Sequence, residues 1–431
     1  MKKNPSRFPA AAIDKIISGG QDVGIADFML HMELCFEHRL DAQRLERSLL
    51  LLLDAQPVLG CRLVTKQIRA YWEQLTGPRP DMLCLASNTA EFDTFRNSPI
   101  ESRRGPQLKA CLLHAADGDR LLVKVAHQVC DAGGLNAVVA QLANIYTRLT
   151  TNPDYRPRPN IHGARSCRQI MQHLPWHIYP VLLFLFLRTL LSTQIPRRTH
   201  ALQVPAGPRE PFTFVIRHLA PAHVERLKSY GRRHQATIND MMIAAFYRAL
   251  LKKEDWNGLS ALRIQITVDL RRQYLPSGRA EGICNLSTYE HINLGREPGS
   301  DFAATLDRVS AINRRSKSGW IGLSELCMVP LAGLAPYRLL VKACSRLLHE
   351  RLSSRNYPSG LTNLGRIPPA GVFFDGQPAR GWVLPPVVYP PVLYIGFSGY
   401  ANTLTLSAGV PLAARACIED FFSQLLEELP A

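Results

Sequence analysis

The segment 107–149 constrains the fold more than any other part of the chain. Residues 107–115 and 120–126 have the composition of strands, and the Asp-Gly pair between them is typical of a tight hairpin turn. The second strand leads to His127 and a short polar loop. A helix opening at Gly134 is predicted next, because apolar residues recur there with the i, i+3, i+4, i+7 spacing of one helix face. These residues are Leu135, Val138, Val139, Leu142, Ile145, Tyr146 and Leu149.

Strand and helix signals alternate in both halves of the chain. Asp41 is placed to cap a helix over 42–53, which Pro57 ends, and a strand is predicted over 58–64. In the second half, Thr237-Ile-Asn-Asp240 forms a capping pattern before an apolar run, which is typical of a largely buried helix. Further strands are predicted over 213–219, 262–268, 392–397 and 403–408, and helices over 222–231 and 415–429. This mixture predicts an α/β (α+β mixed) protein.

The length predicts two domains. A chain of 431 residues with 46% apolar content exceeds one ordinary domain, and two of about 200 residues each are expected. Proline and polar residues cluster at 150–175 and 192–211, and such clusters interrupt regular structure. We therefore predict a first domain over 1–195, a linker over 196–211 and a second domain over 212–431.

The chain is strongly basic, with a formal net charge of +16. A positive net charge is compatible with binding to nucleic acid, to anionic lipid, or to an acidic protein or phosphate ligand. It is equally compatible with a basic surface that binds no such partner. The basic residues are scattered in short pairs such as Arg271-Arg272, without interleaved aromatic residues or finger spacing. Nucleic acid is therefore not expected as a partner.

The ten cysteines point to a reducing compartment. None forms a C-x-x-C pair, and several lie in apolar stretches where a free thiol behaves as a small hydrophobic group. This pattern predicts a cytoplasmic protein without a disulfide scaffold or a bound metal. The basic N-terminus leads into no apolar segment of the kind found in signal peptides.

One apolar stretch, Ile178 to Leu191, resembles a membrane segment at first sight. It contains Pro180 and Arg188, and its uninterrupted apolar core is well short of the roughly 20 residues that a span needs. We predict a buried or partly exposed helix between the domains. A weak contact with a membrane surface is the alternative.

His127 is the first candidate for chemistry. It stands at a strand end, four residues before Asp131 and small residues. Acyl transfer requires the attacking group to lose a proton, and an imidazole that titrates near neutral pH can accept it. Asp131 could hold the loop through a buried ion pair. A thiol nucleophile at Cys130 would need an oriented third group, for which we find no pattern.

The segment His127-x-x-x-Asp131-Ala-Gly, with a strand before it and a helix after it, resembles the superfamily of chloramphenicol acetyltransferase. That group includes nonribosomal-peptide condensation domains, wax-ester and polyketide-associated acyltransferases, and alcohol acetyltransferases. Other segments resemble the superfamily in the same order along the chain: 45–63, 236–246, Ile266-Thr-Val-Asp-Leu-Arg-Arg272, Leu361-Thr-Asn-Leu-Gly-Arg-Ile367 and 400–409.

The resemblance implies two similar subdomains in a V-shaped pseudo-dimer with a central tunnel. It implies that His127 acts as general base within the tunnel and that Asp131 pairs with an arginine, for which Arg271 is the first candidate and Arg272 the next. Asn363 would lie near the reacting carbonyl and could stabilise the oxyanion, or it is a turn residue before a glycine. Substrate contacts are expected at Gly133, Gly134, Arg271, Gly365 and Ser398.

The resemblance also implies an acyltransferase that needs no permanently bound cofactor. The donor would be acyl-CoA or a phosphopantetheine thioester on an acyl or peptidyl carrier protein, and the acceptor a small alcohol or amine. We expect a free-standing monomer. The alternative is a non-catalytic, condensation-like module that only docks a carrier protein or partner.

Three departures from the superfamily pattern qualify these expectations. Some members have a second histidine just before the motif histidine, and here Ala126 stands at that position. In this respect the sequence resembles the stand-alone acyltransferases more than typical peptide-bond-forming domains. Ala132 replaces the motif glycine, which narrows the loop where a pantetheine arm would approach. The D-F-G-W-G signature of the plant acyltransferases is absent from the sequence.

Overall fold

The computed structural model describes residues 6–76, 81–191, 199–205, 207–326, 329, 333–354 and 357–430. The strands are β1 Arg7–Pro9, β2 Ala26–Asp27, β3 Met29–Phe36, β4 Cys61–Thr65, β5 Ala70–Gln74, β6 Leu83–Ala86, β7 Leu108–Ala115, β8 Gly118–Ala126, β9 Phe212–Leu219, β10 Leu262–Asp269, β11 Ser287–Gly295, β12 Gly360–Ile367, β13 Arg380–Leu384, β14 Val387–Val388, β15 Tyr394–Tyr400 and β16 Thr403–Pro411. The helices are α1 Ala12–Asp22, α2 Ala42–Ala55, α3 Thr89–Arg96, α4 Ala132–Thr151, α5 Arg168–Met171, α6 Ile178–Leu191, α7 Pro221–Arg233, α8 Ile238–Lys253, α9 Leu270–Tyr274, α10 Phe302–Ser318, α11 Leu323–Leu326, α12 Tyr337–Ser354 and α13 Arg415–Glu428. Short 3₁₀ turns lie at Pro57–Gly60, Pro369–Val372 and Leu412–Ala414.

A five-stranded sheet forms the centre of the first half. Its strand order is β13-β3-β8-β7-β6. Alternate residues of β3, such as Leu30, Met32 and Leu34, join a core with α2 and α4, because side chains of a strand point to opposite faces in turn. Strand β8 runs through the middle of this sheet and ends at Ala126, so that the sheet holds the backbone on which His127 follows.

A larger sheet forms the centre of the second half. Its order is β11-β10-β12-β15-β16-β14-β2, with β9 paired to β16. Helices α8 and α13 pack together on this sheet, where Phe246 and Phe421 meet edge to face with ring centroids 5.2 Å apart. A small third sheet, β1-β5-β4, lies in the first half.

The two halves exchange strands. Strand β13, from the second half, pairs antiparallel with β3 over Arg380↔Cys35 to Leu384↔His31. Strand β2, from the first half, pairs with β14 in the larger sheet. Sheet membership therefore crosses the predicted linker. Residues 192–198 and 206, which include parts of that linker, lie outside the described residues, and the proposed boundaries remain a prediction.

The local sequence signals correspond to structure, with shifts of a few residues at several element ends. The Asp41 side chain caps α2 by accepting from Arg44 N at 3.0 Å, and Thr237 and Asp240 form the capping box of α8. The strand predicted over 58–64 begins only at Cys61, because Pro57 starts a 3₁₀ turn that occupies residues 57–60. The helix expected from Gly134 starts two residues earlier, since Asp131 is its N-cap.

Three properties of the described residues bear on the expectations above. No described helix combines the length and the apolar character that crossing a membrane requires. The nine cysteines of the described part are free thiols. Within the same ranges, no group of three or more histidine, cysteine or acidic side chains is arranged to hold a metal ion.

Candidate active site

His127 is the residue at which β8 leaves its sheet. Its backbone N–H still donates to Phe28 O at 2.8 Å, and this bond continues the pairing of β8 with the start of β3. The Phe28 ring meets the imidazole edge to face, with centroids 6.1 Å apart. A strand end held in this way restricts the position of the ring before any substrate binds.

Asn285 determines which nitrogen of His127 carries the proton. Asn285 is 4% exposed, and its Nδ2 donates to His127 O at 2.9 Å and to Gln128 O at 3.2 Å. Because both amide hydrogens are used on carbonyl groups, Oδ1 is the atom that faces His127 Nδ1, at 3.1 Å. An amide oxygen only accepts, so Nδ1 carries the hydrogen and Nε2 of the neutral ring carries the lone pair.

The surroundings of His127 favour the neutral imidazole. Burial lowers its pKa below the ordinary histidine value, and nearby carbonyl groups, the Asp131 carboxylate and Asn285 oppose that shift only in part. The ring is therefore a neutral base at physiological pH.

Asp131 connects three parts of the site. Its Oδ1 accepts from Gly134 N at 2.9 Å and caps α4. Its Oδ2 accepts from Arg271 Nη1 at 2.9 Å, from Leu286 N at 2.7 Å and from Ser287 Oγ at 2.9 Å. Burial alone raises the pKa of Asp131, but the Arg271 guanidinium and the backbone N–H groups outweigh it and lower the pKa. The carboxylate is thus ionised and has its oxygens occupied by the protein.

Arg271 is the arginine partner of Asp131. Its Nη1 also donates to Asp269 Oδ1 at 3.2 Å, and its Nη2 donates to Cys284 O at 2.6 Å. Burial tends to lower the pKa of this guanidinium, and the Asp131 charge more than compensates, so the pKa rises. The residue is 5% exposed, and its side chain joins the loop 127–131, called here the motif loop, to residues 283–287, called the 283–287 segment.

A second arginine joins the same two pieces of chain. Arg165 Nη2 donates to Val129 O at 3.0 Å, and its Nε donates to Ile283 O at 2.7 Å. Its Nη1 pairs at 3.0 Å with Asp14, a fully buried residue of α1 that also accepts from Trp72 Nε1 at 2.8 Å. The motif loop and the 283–287 segment are therefore held together by the buried Arg271, the partly buried Arg165 and Asn285.

Gly133 and Gly134 permit this close approach. A Cβ on Gly134 would lie 2.5 Å from Cys130 Cβ and 3.1 Å from Cys284 O. A Cβ on Gly133 would lie 3.0 Å from Arg271 Nη1. The neighbouring Ala132 packs against the apolar core of the first half. Both glycines thus allow the first turn of α4 to approach the arginine and the 283–287 segment.

Comparisons with solved structures find the same architecture over the whole chain. The chain is similar to polyketide synthase associated protein 5 from Mycobacterium tuberculosis, with a TM-score of 0.65, 16% identity and coverage of 97% of this chain and 98% of that chain. It is similar to the trichothecene 15-O-acetyltransferase of Fusarium sporotrichioides, with a TM-score of 0.71, 11% identity and coverage of 98% and 94%. For the first condensation domain of the calcium-dependent antibiotic synthetase, the TM-score is 0.69, the identity 16% and the coverage 100% and 98%.

The chain has the chloramphenicol acetyltransferase-like fold. This confirms the predicted fold class, two α/β halves in a pseudo-dimer. No protein-family model and no curated protein matches the sequence. At these identities the likeness to solved structures shows the fold alone.

The structure brings most of the predicted site residues together. His127, Asp131, Gly133, Gly134 and Arg271 form one cluster through the contacts given above. Their roles toward substrate remain predictions, and the described hydrogen bonds of Arg271 are made to protein groups.

The other three predicted residues lie in the second half. Asn363 is exposed on β12, where its Nδ2 donates to Asn239 Oδ1 at 3.3 Å and its Oδ1 accepts from Gly365 N at 3.0 Å. Gly365 has a φ of +87°, and a Cβ there would lie 3.4 Å from Arg272 Nη2. Ser398 is buried on β15 and its Oγ accepts from Val383 N of β13 at 3.0 Å. The proposed oxyanion and substrate roles of these residues remain predictions.

Two residues of the site are missed by sequence reasoning. Asn285 is the single amide in the run Ile283-Cys-Asn-Leu286, and a buried amide in such a run needs partners, which is a weak signal. Arg165 lies in a stretch that sequence reasoning treats as linker-like, so nothing local indicates its role. Burial raises the pKa of Cys130 well above the ordinary thiol value, which keeps it protonated and disfavours a thiolate nucleophile there.

Proposed function

We propose that this protein is an acyltransferase that moves an acyl group from a thioester to an alcohol or amine, with His127 as general base. The observation that supports the proposal most directly is the pair His127–Asn285, which leaves the lone pair of the imidazole on Nε2. A general base must present its lone pair in a fixed direction. The contact with Asn285 orients the His127 ring in this way while the ring stays neutral.

The proposed step uses His127 twice. Nε2 takes the proton of the acceptor O–H or N–H while the oxygen or nitrogen attacks the thioester carbonyl carbon. A tetrahedral oxyanion forms and then collapses, and the carbon–sulfur bond breaks. The departing thiolate takes the proton back from Nε2, so that a free thiol and an ester or amide leave and the ring returns to its starting state.

The other residues of the proposed site position the base or the substrate. Asp131, fully engaged by the protein, holds the motif loop and does not exchange protons, since its pKa is lowered. Asn363 is proposed to donate to the oxyanion, a contribution that is worth about 3 kcal/mol in other acyl-transfer enzymes. Gly133, Gly134, Gly365 and Ser398 are proposed to line the path of the substrate.

The donor is proposed to be acyl-CoA or an acyl group on the phosphopantetheine arm of a carrier protein. The net charge of +16 suits both, because CoA carries phosphates and carrier proteins are usually acidic. Structural similarity to a polyketide synthase associated protein and to condensation domains supports the second donor class. The free thiols of the described part agree with a reducing compartment such as the cytoplasm.

Turnover with defined donors tests the proposal. The purified chain is incubated with acyl-CoA and acyl-carrier-protein panels and with alcohol and amine acceptors, and products are identified by intact-mass spectrometry. We expect His127→Ala to lower kcat by about 10²–10⁴-fold, the usual contribution of a general base. The matched control is His162→Ala, which changes an exposed histidine.

Full product formation by His127→Ala would exclude the general-base role. Absence of product from the wild-type chain with every donor, together with saturable binding of a carrier protein, would instead support a non-catalytic docking module.

A further inference from the structure

Helix α6 is apolar around its whole circumference, although only part of that circumference is covered by protein. Its sequence, IYPVLLFLFLRTLL, contains one charged residue, Arg188. Ile178 and Leu182 are buried on one face, where they pack on the core that includes Leu270 and Leu286. A helix of this composition is normally enclosed on every side by protein or by lipid.

The opposite face of α6 is exposed. Tyr179, Leu183 and Leu187 follow one another at intervals of four residues, so they form one line along the helix, and Trp176 lies in the turn just before it. Trp176 is 82% exposed, Leu183 57%, and Phe184, beside this line, 62%. These side chains form the surface called here the α6 stripe.

The segment of sequence that contains α6 has an excess of positive charge. From Tyr155 to Arg209 the sequence contains eight arginines and no lysine, aspartate or glutamate. Arg168, on α5 just before the stripe, is exposed. Arg165 is paired with Asp14, and the other arginines of this segment give it a net positive charge that attracts anionic partners.

A second element adds positive charge at the same end of the helix. Arg315 and Lys317 are exposed in the last turn of α10, which leads to Trp320. The Trp320 ring meets His177, the residue before α6, with centroids 6.4 Å apart. Basic side chains from two separate parts of the chain thus flank the start of the α6 stripe.

We infer that the α6 stripe docks the protein on the surface of an anionic phospholipid membrane. The helix of 14 residues is about 21 Å long, shorter than the roughly 30 Å hydrocarbon core, so it lies in the surface. Its aliphatic side chains enter the boundary between headgroups and acyl chains, and the indole and phenol of Trp176 and Tyr179 lie at headgroup level. The flanking arginines and lysine contact lipid phosphates.

Charge makes a lipid surface a better occupant than a second copy of this chain. A two-fold interface through the α6 stripe would bring the same basic groups of both copies together, and like charges across an interface repel. An anionic membrane covers the apolar side chains and neutralises the charge at the same time. The inference does not depend on the proposed acyl transfer.

Vesicle co-sedimentation tests the inference on the full chain. The wild-type protein is mixed with vesicles of phosphatidylcholine alone and of phosphatidylcholine with phosphatidylglycerol. We expect binding to the anionic vesicles that weakens with added salt and is much lower on the neutral ones. The double variant Leu183→Gln/Leu187→Gln should lower the partition coefficient at least about tenfold, because each leucine loses its burial in lipid.

The matched control is Ile68→Gln/Leu259→Gln, which removes two apolar side chains elsewhere that are more exposed than Leu183 and Leu187, and which should bind like the wild type. The substituted positions are on the surface, so unfolding transitions should be unchanged and confirm that every variant is folded. Three outcomes would overturn the inference: no binding of the wild type to anionic vesicles, equal binding by the α6 variant, or a wild-type dimer in sedimentation velocity that the α6 variant abolishes.

Discussion

His127 and Asn285 form one unit, since neither has its proposed role without the other. The amide of Asn285 is oriented by two carbonyl groups of the motif loop, and only then can its oxygen determine the protonation of the ring. Loss of Asn285 would leave both ring tautomers accessible to the neutral imidazole. Orientation by a neutral amide also differs from orientation by a carboxylate, because it adds no charge that would raise the pKa of the base.

A double-variant cycle measures whether the two residues act together. Asn285→Ala should lower kcat/KM by a factor within the roughly 10²–10⁴ that a general base contributes. In a His127→Ala background the same change should have almost no further effect, since the base that it positions is already absent. Steady-state rates of the four proteins give the comparison. Losses that multiply in the double variant would show that Asn285 acts independently of His127.

The pH dependence of turnover reports the state of His127. Its pKa is lowered by burial, and only the neutral ring accepts a proton. As pH falls, kcat/KM should therefore decrease along a limb whose midpoint lies below the ordinary histidine value of about 6.5. The profile is measured with a donor whose own groups do not titrate in this range. A midpoint above that ordinary value would contradict the assignment of His127 as the base.

At the level of elements, the site depends on the approach of α4 to the 283–287 segment. The Asp131 cap starts the helix, and the same carboxylate accepts from the 283–287 segment through Leu286 N. Arg165 and Arg271 add bonds from either side. The position of His127 is thus determined by strand β8 behind it and by the junction of two distant elements beside it.

Gly134→Ala tests the closeness of this junction. The new methyl group would meet Cys130 Cβ at 2.5 Å and the Cys284 carbonyl, so the helix must shift away. We expect the free energy of unfolding to fall by about 1–3 kcal/mol, as for other overpacked sites, and kcat to fall with it. Urea denaturation provides the measurement. Gly60→Ala is the control, because a Cβ there meets its nearest atom, Leu53 Cβ, at an ordinary 3.6 Å.

At the level of the whole molecule, strand exchange joins the two halves. Strand β13 pairs with β3 of the first sheet, while Val383 N of the same strand donates to Ser398 Oγ of β15 in the second. The core of the first half also contains Leu364, Ile367 and Tyr400 from the second. Neither half can therefore unfold without removing partners from the other, which predicts one cooperative transition.

Hydrogen exchange measured by mass spectrometry tests this coupling. Amides of β8 and β16 should lose protection at the same denaturant concentration, although they belong to different sheets. Ser398→Ala leaves the buried Val383 N–H without its acceptor. It should lower the free energy of unfolding by about 1–3 kcal/mol, and exchange in β8 and in β16 should report the same loss. Ser87→Ala, at an exposed position, should leave both unchanged. Loss of protection in one strand well before the other would contradict the coupling.

Much of the fold follows from signals that act over a few residues. Caps at Asp41 and Thr237, the hairpin before His127 and the periodicity of α4 depend on neighbours along the chain, and the structure contains each of these features. Where a local signal was misplaced, at residues 58–60, the conformation imposed by Pro57 was the competing local effect.

The sequence by itself determined the candidate base, because His127 at a strand end before Asp131 is a pattern readable within a few residues. It also indicated Arg271 as the partner of Asp131, through resemblance. Only the tertiary structure showed that Asn285, 158 positions away, sets the tautomer of His127. Only the tertiary structure showed that Arg165 also joins the motif loop to the 283–287 segment. Hydrogen bonds between distant segments depend on how two sheets and their connections pack, and no local periodicity or spacing encodes that packing.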